Sequence, residues 1–449
     1  MYSSYSPLQQ SQLAAQGYYD TQSIYLLVYA PGRNTALRAT LADQLHRKFR
    51  LADTLGSALT EGVDGVLLVS EDVECMSTAL MCFAKALQDG ADYAVCNAVF
   101  GFGGATALYQ SRAHLAQNRC ALVSRPLLER CRAAAKDPES VTELLALAAQ
   151  FCAHPARIPQ ALLHYERDIC AEDAFSATGK RAFLMSHVLD MTGAPIVLVS
   201  AVPVLRSMGY EVVVLGPSDG GALQLFVDAG AAVITRPGIR ATPNLWGLAL
   251  CADLVLVNTV VMARTVRALS GTAVPVLWWL HDAFAGYPHI AHQIPTKLAE
   301  NVRLYSVGHH AANAMHAVRP DFQIGQLIYG LPDYAAEDFP RCDLGYPADK
   351  PLFATVGSFE RRKGHDIFCA AIRLLPEEVR NKATFLFVGK AADKEMMDAV
   401  RSLTTDCPEN VFYCKRLSRD EIKNLMEQCT CLVCASRDDP MPTFVTEGL

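Results

Sequence analysis

Short apolar runs of strand length recur along the whole chain, and most are followed by a turn and then a stretch with helical patterning. Residues 24–30, 65–70, 93–99, 181–186, 211–216, 232–235, 254–257, 274–280, 352–357, 384–389 and 411–414 are such runs, and 430–435 is the last. Residues 35–49, 76–87, 195–208, 223–229, 366–375 and 419–428 read as helices between them. Strands that alternate with helices specify an α/β layer fold, and the series from 181 to 280 specifies a doubly wound parallel sheet. Pro203 falls inside the helix 195–208 and should kink or break it, and Gly209 suits a left-handed cap at its end.

At 449 residues the chain is long enough for two or three domains. Residues 1–23, rich in Ser, Gln and Tyr, read as a flexible arm, and 24–170 as a first α/β domain. The polar, small-residue stretch 167–179 reads as a linker into a second domain over 180–340. A Pro/Gly-containing hinge over 340–351 leads to a third domain over 350–449. The chain stops two residues after Glu447, inside a stretch expected to continue as helix, so this last domain is read as incomplete. With 51% apolar and 19% charged residues, a large buried core is expected. A net charge of -6 argues against a nucleic-acid partner. Fifteen cysteines without a leader peptide point to free thiols in a reducing, cytoplasmic setting. No apolar run reaches the ~20 residues of a membrane helix.

Open α/β sheets bind ligands at the carboxyl ends of their strands, which directs attention to the polar residues there. Asp439 and Glu447 follow the last apolar run, and a carboxylate can accept two hydrogen bonds from a vicinal diol. Arg361, Arg362 and Lys363 precede the helix 366–375, where cations and a helix N-terminus favour the same anion. That loop suits a diphosphate, the plainer alternative being a solvated basic turn. His281 closes the run 274–280, and Gly193 stands in the loop after 181–186 as a glycine that suits positive φ.

In the first domain, Glu71, Asp72 and Glu74 cluster at a strand exit. They suit either a divalent metal with hard oxygen ligands or the N-terminus of the next helix. Gly101, Gly103 and Gly104 do not complete a dinucleotide loop and read as a turn. His309, His310 and His316 read as a packed or solvated helix face. Cys429, Cys431 and Cys434 read as buried core thiols rather than a zinc site.

Three segments carry a resemblance to a known family. They are Met185-Ser-His-Val-Leu-Asp-Met-Thr-Gly-Ala-Pro195, Val356-Gly-Ser-Phe-Glu-Arg-Arg-Lys-Gly-His-Asp366 and the acids Asp439 and Glu447, separated by seven residues. Over residues 180–449 the chain resembles the retaining GT-B glycosyltransferases of family 4. The resemblance implies a GT-B pair of Rossmann-like domains that move a sugar from a nucleoside-diphosphate sugar to an acceptor hydroxyl with retention, and no obligatory metal. It implies that Gly193 approaches the donor phosphates and that Lys363, with Arg361 or Arg362, stabilises the leaving diphosphate. Ser358 stands where many members carry an arginine. Glu447 is implied to hold ribose hydroxyls, Asp439 to lie near the sugar, and His281 to position sugar or acceptor. The implied acceptors are saccharides or lipid-linked saccharides, which would bring the protein to the inner face of a membrane.

Residues 24–170 resemble a GT-A, family 2 glycosyltransferase domain, in which Glu71-Asp72-Val73-Glu74 falls on the acidic motif that binds Mg or Mn. The span before that cluster leaves out the part that would hold a nucleotide base, with its own strand and aspartate, so the domain is read as inactive. Two alternatives stand beside the transferase: a non-catalytic nucleotide-sugar-binding relative, and an NAD-dependent Rossmann-type sugar-modifying enzyme. Against the second stands the absence of G-x-G-x-x-G after residues 181–186.

Overall fold

Runs such as Leu26–Tyr29, Gly65–Val69 and Ala232–Thr235 are buried along their whole length, as strands covered on both faces must be. The computed structural model describes residues 16–56, 62–102, 105–110, 119–175, 179–239, 247–330, 346, 349–415 and 417–448. The chain falls into two compact units, the first Met1–Val257 with Arg264–Val276 and Ala299–Val302, the second the remainder.

The first unit contains β1 (Leu26–Tyr29), β2 (Phe49–Ala52), β3 (Gly65–Val69), β4 (Glu74–Cys75), β5 (Tyr93–Phe102) and β6 (Ala105–Gln110). It continues with β7 (Cys120–Ser124), β8 (Pro155–Asp168), β9 (Lys180–Met185), β10 (Tyr210–Gly216), β11 (Ala232–Thr235) and β12 (Leu254–Asn258). Their order in the sheet is β12-β9-β10-β11-β6-β5-β7-β3-β1-β2, with β4 and β8 off this path. The strands β9 to β12 are parallel, as the alternation of elements requires. An antiparallel pairing of β11 with β6 joins them to the N-terminal strands.

Several elements differ from the sequence reading. The helix expected over 35–49 ends at Leu41. The buried Gln44 side chain donates to the Met76 carbonyl oxygen (2.8 Å) and accepts from the Leu80 amide (3.0 Å), which pulls the chain out of helix. This frees Phe49–Ala52 to form β2, parallel to β1, so a strand left out by the sequence reading is present, with Asp53 directly after it. The helix Gly193–Ser207 runs through Pro203 without a break, and Gly209 takes the left-handed conformation at φ 85. Over residues 167–175 the expected linker is ordered instead: β8 continues to Asp168, a short helix spans Ala171–Ala174, and Asp173 and Phe175 are buried. Gly101 lies within β5, and the two glycines that follow at 103 and 104 lie outside the described residues, as does most of the 340–351 hinge.

In the second unit, β13 (Val276–Leu280), β14 (Val302–Ser306) and β15 (Ile324–Gln326) lie side by side, β14 and β15 being parallel. A separate sheet has β16 (Leu352–Val356), β17 (Thr384–Val388), β18 (Val411–Cys414) and β19 (Cys431–Leu432) in the order β18-β17-β16-β19, parallel throughout. The period-2 alternation of β17 sorts its side chains between two cores. Phe385 and Phe387 pack with Phe368, Ile372 and Val400, while Leu386 and Val388 pack with Leu352, Ala354 and Leu425. The short edge strand β19 covers only part of residues 430–435, which leaves Cys431 and Cys434 exposed and Cys429 half-buried. The core reading of these cysteines therefore fails for two of the three.

Candidate functional site

The second unit gathers most of the candidate residues around the exit of β16. After Val356 the chain turns through Gly357, Ser358, Phe359 and Glu360 into a single 3-10 turn, Arg361–Lys363, and then the helix His365–Leu374. Gly364 is the pivot, with φ 69. A Cβ at this position would lie 1.9 Å from the Ala435 carbonyl oxygen, so the loop packs against the strand exit through bare backbone. Gly364, the N-cap of the helix His365–Leu374, has no side chain to cap it, and the Asp366 carboxylate in the first turn accepts from its own amide and that of Ile367.

The Lys363 ammonium donates to the Asp439 carboxylate, and the two side chains retain only 17% and 9% exposure. A partly buried ion pair of this kind is costly to break from one side, because the remaining charge is left without its partner. Ser358 is bonded to Glu360, and Arg362 Nε donates to Glu360 at 2.8 Å, so both are held within the loop. Burial works to raise the Glu360 carboxyl, but Ser358, Arg362 and Lys363 outweigh it and hold it below the usual range. The Arg361 side chain is exposed and has no hydrogen-bond or ion-pair partner among the described residues. His365 is buried with its ring edge-on to Phe359, and burial together with the Lys363 charge lowers it to about 4. It is therefore neutral at pH 7 and adds no charge to the loop.

Arg437 and Asp438, which the sequence reading passed over, fix the loop that presents Asp439. Arg437 makes a bidentate pair with Asp366 (2.7 Å and 2.7 Å) and donates to the Arg361 carbonyl oxygen (2.9 Å). Asp438 accepts from the amides of Phe284 (3.2 Å) and Ala285 (2.9 Å), and its Oδ1 lies 2.7 Å from His310 Nε2. Burial pushes the Asp438 carboxyl up, and these bonds more than offset it, so it sits below its usual range. Tyr329 was also missed. Its hydroxyl donates to the Met441 carbonyl oxygen at 3.0 Å, and burial with the charges of Asp439 and Glu447 pushes it up to about 12. Glu447 ends the helix Thr443–Glu447. The adjacency of Arg437 and Asp438 to Asp439 was the available signal; Tyr329 carried none, and His310, read as part of a packed or solvated helix face, instead pairs with Asp438.

His281 stands directly after β13, its ring 4.6 Å from that of Trp279. The next residue, Asp282, accepts from the Val260 amide at 2.5 Å, and burial pushes its carboxyl up to about 6 against the lowering effect of the Val260 and His281 amides. Its neighbour Thr259 has φ 75, a conformation that strains a β-branched residue. Thr259 is held there by its own amide donating to Trp279 O (2.8 Å) and by Trp278 Nε1 donating to its carbonyl oxygen (2.8 Å).

The remaining candidates belong to the first unit. Gly193 has helical backbone and opens the helix Gly193–Ser207, so it does not serve as a positive-φ loop glycine. Glu71, Asp72 and Glu74 do not converge. Asp72 caps the helix Thr35–Leu41, Glu74 pairs with His164 and Glu71 pairs with Arg167. Among the described residues no group of three or more His, Cys, Asp or Glu side chains is arranged to hold a metal ion. Nor is any described helix long and apolar enough to cross a membrane.

Residues 178–316 match the family model described as Glycosyl-transferase family 4, and residues 338–449 match the one described as Glycosyl transferases group 1. No curated protein sequence gives a significant match. Among solved structures, the chain is similar to a glycosyltransferase from Rickettsia africae at 13% identity and TM-score 0.43, over 58% of this chain and 73% of that one. It is similar to WaaG, a glycosyltransferase involved in lipopolysaccharide biosynthesis, at 16% identity and TM-score 0.42, over 57% and 75%. A third is the catalytic domain of starch synthase IV from Arabidopsis thaliana bound to ADP and acarbose, at 8% identity and TM-score 0.43, over 61% and 81%.

Proposed function

We propose that this chain, which carries a family 4 glycosyltransferase domain followed by a group 1 glycosyl transferase domain, moves a sugar from a nucleoside-diphosphate sugar to an acceptor hydroxyl with retention, as a GT-B enzyme. In this reading residues 180–340 form the acceptor-side domain, 350–449 the donor domain, and 24–170 an appended GT-A-like domain. The observation that carries it is the meeting of Lys363 with Asp439 in the loop that leads into the helix His365–Leu374. A departing diphosphate gathers negative charge as the glycosidic bond breaks. A fixed ammonium set against that charge stabilises it more in the transition state than in the ground state.

Lys363 is the cation of the reaction in this account, and Arg361, exposed at the start of the same turn, is a second one within the loop. Asp439 keeps the ammonium in place until the diphosphate competes for it. Glu447 holds the ribose hydroxyls and His281 the sugar or the acceptor. The acceptor oxygen passes its proton to the donor phosphate, so positioning and charge stabilisation supply the rate rather than a covalent intermediate. Saccharides, free or lipid-linked, are the acceptors that this chemistry suits, and a cytoplasmic setting at the inner face of a membrane would supply them. Calorimetric titration with UDP, GDP, ADP and their sugar conjugates tests the reading. Selective binding of one nucleotide is the expected result, and no binding by the folded chain would overturn it.

A further inference from the structure

The family 2 resemblance attaches a divalent cation to Glu71, Asp72 and Glu74, but each of these acids is already engaged by the chain. Asp72 accepts from the amides of Ala36 (3.1 Å) and Leu37 (3.0 Å) and from the Thr35 hydroxyl (3.0 Å), so both its oxygens cap the helix that follows β1. Glu74 lies 2.7 Å from His164 Nδ1. Glu71 accepts from Arg167 Nη2 (2.6 Å) and Nε (3.3 Å), and the same guanidinium donates to Asp173 through Nη1 (2.6 Å) and Nη2 (2.9 Å). With the bond from Nη1 to the Asp168 carbonyl oxygen (3.2 Å), all five N–H donors of Arg167 are used.

The setting of Arg167 is built rather than incidental. Asp173 is 3% exposed, and it accepts further bonds from the Cys170 amide (2.9 Å) and thiol (3.1 Å). The guanidinium lies 5.3 Å from the Phe100 ring centroid and 5.5 Å from that of Tyr165, and the two rings stack on each other at 4.7 Å. Arg119 Nε stands 3.6 Å from Asp173, so two arginines balance two carboxylates. A planar fork that grips two carboxylates while resting on aromatic faces is a task for arginine and not for a hydrated metal ion. A divalent cation would have to take oxygens away from Arg167 and leave that charge without partners.

We propose that Arg167 is a built-in cation: its guanidinium does the charge balancing at the acidic centre of residues 24–175 that the resemblance assigns to a divalent metal. The donor set does not fit a metal, and this domain's acidic centre is metal-independent. The inference concerns the first unit alone and does not depend on the transferase reading. It is tested on the full chain by Mn2+ titration, followed calorimetrically and by the paramagnetic resonance of free Mn2+, together with thermal melts with and without EDTA. The wild type is expected to take up no stoichiometric Mn2+ and to melt at an unchanged Tm in EDTA. Arg167→Ala is expected to lower the Tm by several degrees, with Mn2+ restoring part of the loss by bridging Glu71 and Asp173. Uptake of one Mn2+ per wild-type chain that Glu71→Gln abolishes would overturn the proposal, as would an Arg167→Ala protein as stable as the wild type. Should Arg167→Ala fail to fold, the wild-type and Glu71→Gln titrations decide the question by themselves.

Discussion

Asp282 and Asp438 show how backbone amides and burial set opposite pH behaviour for two carboxylates. Asp282 has its folded pKa raised to about 6 by burial, so its charged form is disfavoured in the folded state. Below about pH 4 the group is protonated in both states and contributes nothing. As pH rises towards 6 the unfolded chain gives up its proton first, and stability falls until the penalty is complete above 6. Asp282→Asn keeps an oxygen for the Val260 amide and removes the charge. It is expected to be more stable than the wild type at pH 7.5 by about 1–3 kcal/mol, and the gap should close at pH 4. Urea denaturation at the two pH values measures this, and no gain at pH 7.5 would contradict it. Asp438 behaves in the other sense: its lowered pKa contributes stability above its unfolded value that is lost as pH falls through the folded one.

The elements differ in how much of themselves the sequence displays. The helix Arg419–Gln428 is found where it was expected because its start is written locally: Ser418 accepts from the Glu421 amide (3.2 Å), and Glu421 accepts from the Ser418 amide (2.6 Å). Ser418→Ala is expected to cost about 1 kcal/mol, seen as a lower urea midpoint with an unchanged m-value. A shift within error would mean that the cap contributes nothing. The strands β10, β11 and β17 were equally legible, because buried parallel strands are continuous apolar runs. The strand β2 was not, since Phe49-Arg-Leu-Ala52 is half-buried throughout and continues a helical pattern that only the long-range bonds of Gln44 interrupt. The same limit applies to the site. Lys363 and Asp439 could each be singled out from their local setting. Their pairing spans 76 positions, and that of His310 with Asp438 spans 128, so no local pattern records either one.

At the scale of the whole molecule, the donor diphosphate is expected to touch residues of the second unit. Binding stabilises what it touches, so saturation with the preferred nucleoside diphosphate should slow amide exchange in residues 357–366 and 437–447 and leave 24–100 unchanged. Hydrogen-exchange mass spectrometry reads this directly, and protection confined to residues 24–100 would move the nucleotide to the wrong unit.

Calorimetry decides whether Lys363 bears on the donor diphosphate. The affinity of the wild type and of Lys363→Ala is compared for a nucleoside diphosphate and for the matching nucleoside. A lost charge-assisted hydrogen bond of about 1.5–3 kcal/mol predicts a roughly 10- to 100-fold weaker diphosphate and an unchanged nucleoside. An equal loss for both ligands would mean that Lys363 does not bear on the diphosphate.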